Sequence, residues 1–469
     1  MIRIIANDEK LIDELNLVLK LFYKEEYLEN SDEIFYVNQS VDKGVIFTEV
    51  TSSINNKRYS ETTKVVDNKF PERYKKRSAK ILLFNLLQDH FPDKILPWGS
   101  LTGIRPTKLY YELIKECNGD LIEARDMLVN KFKVTKEKAK LVKEIINNQK
   151  NIIKNDNLVD LYINIPFCPS KCYYCSFISL PYDKCAHQIE PYLQALLKEI
   201  NEAKKLIDRK NYILKSIYIG GGTPTILTAE QLDILLTALD YNVSEFTVEC
   251  GRPDTITKEK LDVLAKHNVT RISINPQTFC NKTLKEIGRN HTSNDIMEAY
   301  KLALNYDFQI NMDLIAGLGS ETLMTFKKSL NKAIEYAPDN ITVHTLSIKR
   351  GSSLNEKGGN TSLEDDVPKM IEYSHKALND AGYKPYYLYK QKNMLGNLEN
   401  IGYFREKVCV FNIDSMEEFA SIIACGANAI SKRYYSIYNK IERFANLKNI
   451  DEYINRIDEM IEKKNMLFK

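Results

Sequence analysis

The chain has 469 residues, 43% hydrophobic and 28% charged, with 66 basic and 63 acidic side chains and a formal charge of +3. That length buries a sizeable core in two or three domains, and the balance of charge excludes the strong basic field of a nucleic-acid binder. No apolar run reaches spanning length, Met1-Ile-Arg-Ile-Ile-Ala soon meets Asn-Asp-Glu-Lys rather than continuing as a signal peptide, and nine cysteines are too sparse for a disulfide scaffold. These features predict a cytoplasmic protein with no membrane span.

Residues 1–155 read as an N-terminal α+β and helical extension. Short alternating segments at Met1-Ile-Arg-Ile-Ile-Ala and Gly44-Val-Ile-Phe-Thr-Glu-Val are separated by a helical pattern from Leu11 to Phe22. From Lys75 onward, Ile81, Leu82, Leu83, Leu86 and Leu87 follow helical spacing, and three or four helices are expected. Between them, Pro97-Trp-Gly-Ser-Leu-Thr-Gly-Ile-Arg-Pro-Thr-Lys108 reads as a Gly/Pro loop before a helix.

From 156 to 381 strands alternate with helices, the signature of parallel βα units. Strands are predicted at 161–167, 216–221, 245–250, 271–276, 309–315 and 340–347. Six units are too few for a common eight-stranded barrel, which leaves a partial barrel or a doubly wound sheet. In either case ligand groups belong at the C-terminal strand ends. From 382 to 469 the alternation fades into a C-terminal region expected to cover the barrel. There Tyr386 to Asn397 reads as strand then loop, Phe419 to Tyr435 as a helix broken at Gly426, and an amphipathic helix closes the chain.

The first strand delivers Cys168, Cys172 and Cys175, spaced CxxxCxxC, into one loop. Three thiolates so close suit an iron–sulfur cluster, and three ligands leave one iron of a four-iron cube open. The alternatives are a zinc knuckle lacking a fourth ligand, or unrelated core cysteines. Gly220-Gly-Gly-Thr-Pro-Thr225 follows the second strand, where glycines let backbone N–H groups approach an anion or simply make a turn. Glu249 ends the third strand and Gln277 the fourth, Arg289 follows a short helix, and Asp313 is a charge within an apolar strand that must be paired or bound to something.

CxxxCxxC with an aromatic residue before its last Cys, at the end of a first strand, resembles the S-adenosylmethionine (SAM) radical enzymes. Tyr162-Ile-Asn-Ile-Pro-Phe-Cys168 is similar to the oxygen-independent coproporphyrinogen III oxidase branch, and the Pro97 to Lys108 string to its coproporphyrinogen dehydrogenase subgroup with an N-terminal extension. The resemblance implies a partial (β/α)6 barrel and a [4Fe-4S] cluster on Cys168, Cys172 and Cys175. It places SAM against Tyr162, Tyr174, Gly221, Gly222, Thr223, Glu249, Gln277, Arg289, Asp313 and Thr345. It further implies a tetrapyrrole substrate and an electron donor such as flavodoxin or ferredoxin, with propionates decarboxylated to vinyl groups. Tyr389, Lys390 and Lys392 are candidates to meet the ring and its carboxylates. Ser176 is a departure, because the oxidases of this branch carry a further Cys there, whereas relatives without it handle haem as chaperones or degrading methyltransferases.

Overall fold

The computed structural model describes residues 2–23, 32–53, 56–66, 71–102, 105–175, 180–347, 366–390, 394–438 and 440–469. Ser176 and Lys392 lie outside the described residues. The chain divides into two compact units, Met1–Asn147 with Tyr389–Lys392, and Asn148–Leu388 with Asn393–Lys469.

In the first unit β1 (Arg3–Ala6), β2 (Ile34–Asp42), β3 (Val45–Ser52) and β4 (Arg58–Lys64) form a sheet in chain order, parallel between the first two strands and antiparallel after that. The helix Ile12–Phe22 buries Leu15, Val18, Leu19 and Phe22, a one-face stripe that packs with Phe35, Val37, Val50 and the helix Pro71–His90. Three more helices, Pro106–Glu116, Leu121–Asn130 and Lys136–Gln149, complete the four. Trp98 is fully buried. The Lys390 ammonium lies 5.2 Å above its ring and donates to Leu101 O at 3.0 Å. That ammonium is therefore committed to the Trp98 loop rather than held ready for a substrate carboxylate.

In the second unit the six expected parallel strands are β5 (Leu158–Ile165), β8 (Ile213–Gly221), β9 (Glu245–Glu249), β10 (Arg271–Ser273), β11 (Gln309–Ala316) and β12 (Asn340–Thr345). Between the first two, β6 (Phe167–Cys168) and β7 (Leu180–Pro181) make a two-residue parallel pair. The C-terminal strands are β13 (Lys384–Tyr389), β14 (Asn400–Phe404), β15 (Ser421–Cys425), β16 (Ile430–Tyr435) and β17 (Lys440–Ala445). The sheet runs β13-β14-β12-β11-β10-β9-β8-β5-β15-β16-β17, open at both ends, which is the partial barrel.

One expectation for the C-terminal region is corrected. The helix expected over Phe419 to Tyr435 is instead β15, a turn at Gly426 and β16. Ser421-Ile-Ile-Ala-Cys425 is buried at every position and pairs parallel to β5, so its β-branched run is an inner strand. The region also extends the barrel sheet at both edges, with β14 antiparallel to β12 and β15 parallel to β5.

Registered partners share a face of the sheet, and one face is polar across all six strands. It carries Asp160, Tyr162 and Asn164 opposite Ser216, Tyr218 and Gly220; then Thr247 and Glu249; then Ser273; then Asn311 and Asp313; then Thr342. The opposite face is apolar, with Leu161, Ile163, Ile217, Ile219, Val248, Ile272, Met312, Leu314 and Ile341 buried. Buried parallel strands are normally apolar on both faces, so the polar face marks the lining of a ligand site. Its N-terminal end is closed by the helix Val410–Glu417, whose first N–H groups, on Val410 and Phe411, are capped by Glu245 at 2.7 and 2.9 Å. Phe411 stacks on Tyr218 at 4.4 Å and on Tyr162 at 5.9 Å.

A buried network fixes the other end of β5. Glu199, on the helix Tyr182–Arg209, accepts from Gly426 N at 2.7 Å, Asn446 Nδ2 at 2.8 Å, Tyr453 OH at 2.6 Å and Lys464 Nζ. The Tyr192 hydroxyl donates to Asn164 O at 2.6 Å, and Asn164 Nδ2 donates to Ala427 O at 2.7 Å. The last helix is thereby tied to the strand that enters the cysteine loop. Removing one partner leaves a buried charge alone, so Lys464→Met should cost about 3–5 kcal/mol in urea unfolding, and adding Glu199→Gln should recover part of it. A loss below about 1 kcal/mol, the range of exposed pairs, contradicts the network.

Candidate cofactor site at the strand ends

The cysteine loop is closed onto the second strand by backbone hydrogen bonds. Gly222 N donates to Ile165 O and Thr223 N to Phe167 O, both at 2.8 Å. A Cβ on Gly222 would come within 2.5 Å of Phe167 O, so only glycine permits this approach, and Gly221 has a φ of +105°. The Thr223 hydroxyl reaches Cys168 Sγ at 3.4 Å. Among the described residues Cys168, Cys172 and Cys175 form no disulfide, and Cys175 N turns back to Cys172 O at 3.0 Å. Gly319 N donates to Tyr173 OH at 2.8 Å, and Arg289 Nη2 lies 3.4 Å from Tyr174 OH.

Arg289 is buried, with Nη1 spent on Asn275 O at 2.6 Å and Gly251 O at 3.3 Å. Burial works against its cation, but the Tyr174 hydroxyl and the Cys172 sulfur beside it outweigh burial and keep it protonated. Its fork is thus largely occupied by backbone carbonyls, while Nε finds no hydrogen-bond partner among the described residues. Thr345 is similarly committed, its hydroxyl donating to Glu399 O at 2.8 Å and its N–H received by Asn400 Oδ1 at 2.8 Å.

Glu249 and Asp313 are the two carboxylates of the polar face beyond its floor. Tyr218 OH donates to Glu249 Oε1 at 2.6 Å. Burial nonetheless pushes the Glu249 carboxyl up to about 7, with Asp313 adding to the rise. Asp313 goes the other way. Burial would raise it, but His344, at 3.6 Å, and Asn311 Nδ2, at 2.9 Å, hold it below the usual carboxylate range. Its partners are therefore an imidazole and an amide rather than the Arg or Lys that a structural pairing would use. Gln277, with a φ of +62°, is locked to β11 through Asp313 O at 2.8 Å and Ile315 N at 3.1 Å. Gln277 Oε1 and Asn275 Oδ1 are both buried and find no hydrogen-bond partner among the described residues.

These features fit SAM and a cluster. Orphaned amide oxygens and buried carboxylates await the hydroxyls and ammonium of a nucleoside amino acid, and the glycine cradle admits its backbone-sized neighbours. Among the described residues no three His, Cys, Asp or Glu side chains gather tightly enough for one metal ion. A single tetrahedral ion with bonds of about 2.3 Å draws its sulfurs within about 4 Å of each other, whereas a cluster spreads its thiolates over several irons. The sequence had missed Tyr218, Asn164, Asn275 and His344. Their signal is the polar residue at every second position of otherwise apolar strands, as in Ser216-x-Tyr218 and Thr342-x-His344.

Because the folded pKa of Glu249 lies above its unfolded value, its contribution to stability is full below about 4.5 and is lost as pH rises through about 7. In cofactor-free protein, Glu249→Gln should flatten the fall in urea midpoint across that window relative to wild type. An equal slope in both proteins contradicts a buried, neutral Glu249.

The radical SAM superfamily model matches residues 162–333. The oxygen-independent coproporphyrinogen-III oxidase-like protein HemZ of Bacillus subtilis is 39% identical over 403 residues, covering 83% of this chain and 80% of the relative. The heme chaperone HemW of Lactococcus lactis is 35% identical over 235 residues, 48% of this chain and 60% of the chaperone. The solved coproporphyrinogen III oxidase HemN of Escherichia coli shares the fold at a TM-score of 0.52 and 19% identity, covering 68% of this chain and 72% of that one. With 39% identity over most of both chains and the superfamily match across the βα units, the chain belongs to the radical SAM superfamily and, within it, to the oxygen-independent coproporphyrinogen III oxidase-like family.

Proposed function

We propose that the chain is a radical SAM enzyme that oxidatively decarboxylates the propionates of coproporphyrinogen III to vinyl groups. Each propionate so converted on the way to protoporphyrinogen IX loses its carboxyl as carbon dioxide, a hydrogen atom from its β-carbon and one electron to an acceptor. Membership of the superfamily implies a [4Fe-4S] cluster and SAM as cofactors, and when bound they supply reductive sulfonium cleavage and a hydrogen-abstracting carbon radical. Cys168, Cys172 and Cys175 are the proposed ligands. Gly221, Gly222 and Thr223 would admit the methionine end. Tyr162, Tyr174, Glu249, Gln277, Arg289 and Asp313 would hold the remainder.

The observation that carries this reading is the polar inner face, with its buried carboxylates and orphaned amide oxygens at the same strand ends as the three thiols. The chain's own work is positional. Glu249 and Asp313 offer acceptors to the ammonium and hydroxyls, and the Phe411–Tyr218–Tyr162 stack closes the barrel floor against water. The coproporphyrinogen name of the Bacillus subtilis relative supports a tetrapyrrole substrate. No helix among the described residues is long and apolar enough to cross a membrane. A cytoplasmic setting and electrons from a flavodoxin or ferredoxin are part of the same proposal. A second reading, haem delivery, is favoured by Ser176 and by the chaperone relative.

Incubated anaerobically with SAM, a reductant and coproporphyrinogen III, the reconstituted chain should release carbon dioxide and form vinyl product. Stable haem uptake and transfer without SAM consumption would instead favour the second reading. Cys172→Ala should lose the cluster and SAM cleavage together, and a full four-iron complement in that variant contradicts the ligand assignment.

A further inference from the structure

The cysteine loop is gripped by side chains that the proposed chemistry leaves unused. Arg252, buried just beyond β9, donates from Nε and Nη2 to the two oxygens of Asp254 at 3.0 and 2.9 Å. Its Nη1 donates to Ser170 Oγ at 3.0 Å. Ser170 lies between Cys168 and Cys172, and its hydroxyl donates onward to Gly288 O at 2.8 Å. The buried His291 closes the far side of Asp254, with Nδ1 3.4 Å from Oδ1. The backbone of the same segment abuts the loop directly, since Ile287 O accepts from Tyr173 N at 3.2 Å.

Arg252 is buried whereas Asp254 keeps contact with solvent, so the desolvation cost falls on the arginine and the pair adds little stability of its own. What it provides is a donor at a fixed point in space. The bidentate fork leaves Arg252 Nη1 one direction, and that direction ends on the one hydroxyl within the Cys168–Cys172 interval. Burial works against the Asp254 charge, but His291 and Arg252 outweigh it and hold the carboxyl well below its ordinary range, so the fork stays closed.

We propose that Ser170, Arg252, Asp254 and His291 form a positioning clasp that sets the loop between the first two cysteines before a cluster is loaded and slows its loss afterwards. The Arg289-x-His291 pair then divides its labour, Arg289 meeting Tyr174 within the loop and His291 backing the aspartate that orients Arg252. The clasp rests on the assignment of the cluster to Cys168, Cys172 and Cys175. It acts as outer-shell groups do, by orienting ligands it does not touch.

The test uses the full chain, reconstituted anaerobically, as Ser170→Ala, Ser170→Thr, Asp254→Asn and wild type. Two quantities are followed, the rate of iron loss to a chelator and the thermal midpoint of the cofactor-free protein. Ser170→Ala and Asp254→Asn should lose iron about tenfold faster, Ser170→Thr should hold it as wild type does, and the midpoint of Ser170→Ala should stay near wild type. If wild type loads a four-iron cluster and both variants release iron at its rate, or if Ser170→Thr is as labile as Ser170→Ala, the clasp is overturned alone. A wild-type chain that takes up no cluster overturns the cysteine assignment and the clasp with it.

Discussion

Two backbone hydrogen bonds, from Gly222 and Thr223 to the carbonyls of Ile165 and Phe167, hold the cysteine loop against the end of the second strand. Everything at the strand ends depends on that closure. It brings Thr223 to the sulfur of Cys168 and works only because residue 222 has no Cβ to strike Phe167 O. The closure is supported from behind by Asn164, which Tyr192 and the Gly426–Ala427 turn fix in place, and that turn is in turn held by Glu199 and the last helix. The final helix of the chain therefore bears on a loop almost three hundred residues before it.

The barrel face turned toward the site carries its polar groups at a cost. Half-buried Glu249 and Asp313 and buried Gln277 and Asn275 would weaken a sheet that had nothing to bind. The fold meets part of this cost internally, through Tyr218 on Glu249 and His344 with Asn311 on Asp313. The remainder, two amide oxygens without partners, is left for a ligand. The pKa values of the two carboxyls are pushed apart by their different partners, an arrangement typical of functional sites. The aromatic floor built by Phe411 confines that chemistry to one end of the strands.

Much of this was legible in the sequence because the local signals agreed with the tertiary structure. The six apolar runs became six parallel strands, and the cysteine spacing, the triple glycine, Glu249, Gln277 and Asp313 all came to one end of the sheet. Ser421 to Cys425 was misread as helical because a short buried apolar run has no period of its own; its strand identity comes from pairing with β5, which periodicity does not reveal. The internal partners of Thr345 and Lys390 were hidden from the sequence for a related reason. A side chain of the right type is a candidate until the fold commits it, and Glu399 O and the Trp98 loop commit these two. The clasp on Ser170 was illegible because Arg252, Asp254 and His291 are brought to the loop only by the order of strands in the sheet.

The central claim is that the polar strand ends and the three thiols form one site, in which SAM binds beside the cluster. The most direct measurement is the electron paramagnetic resonance spectrum of the reduced cluster in the anaerobic full-length chain, with and without SAM, compared with Gln277→Ala. SAM should shift the wild-type signal, while the variant should keep its cluster signal and need more SAM for the same shift. A wild-type spectrum indifferent to saturating SAM would contradict the claim.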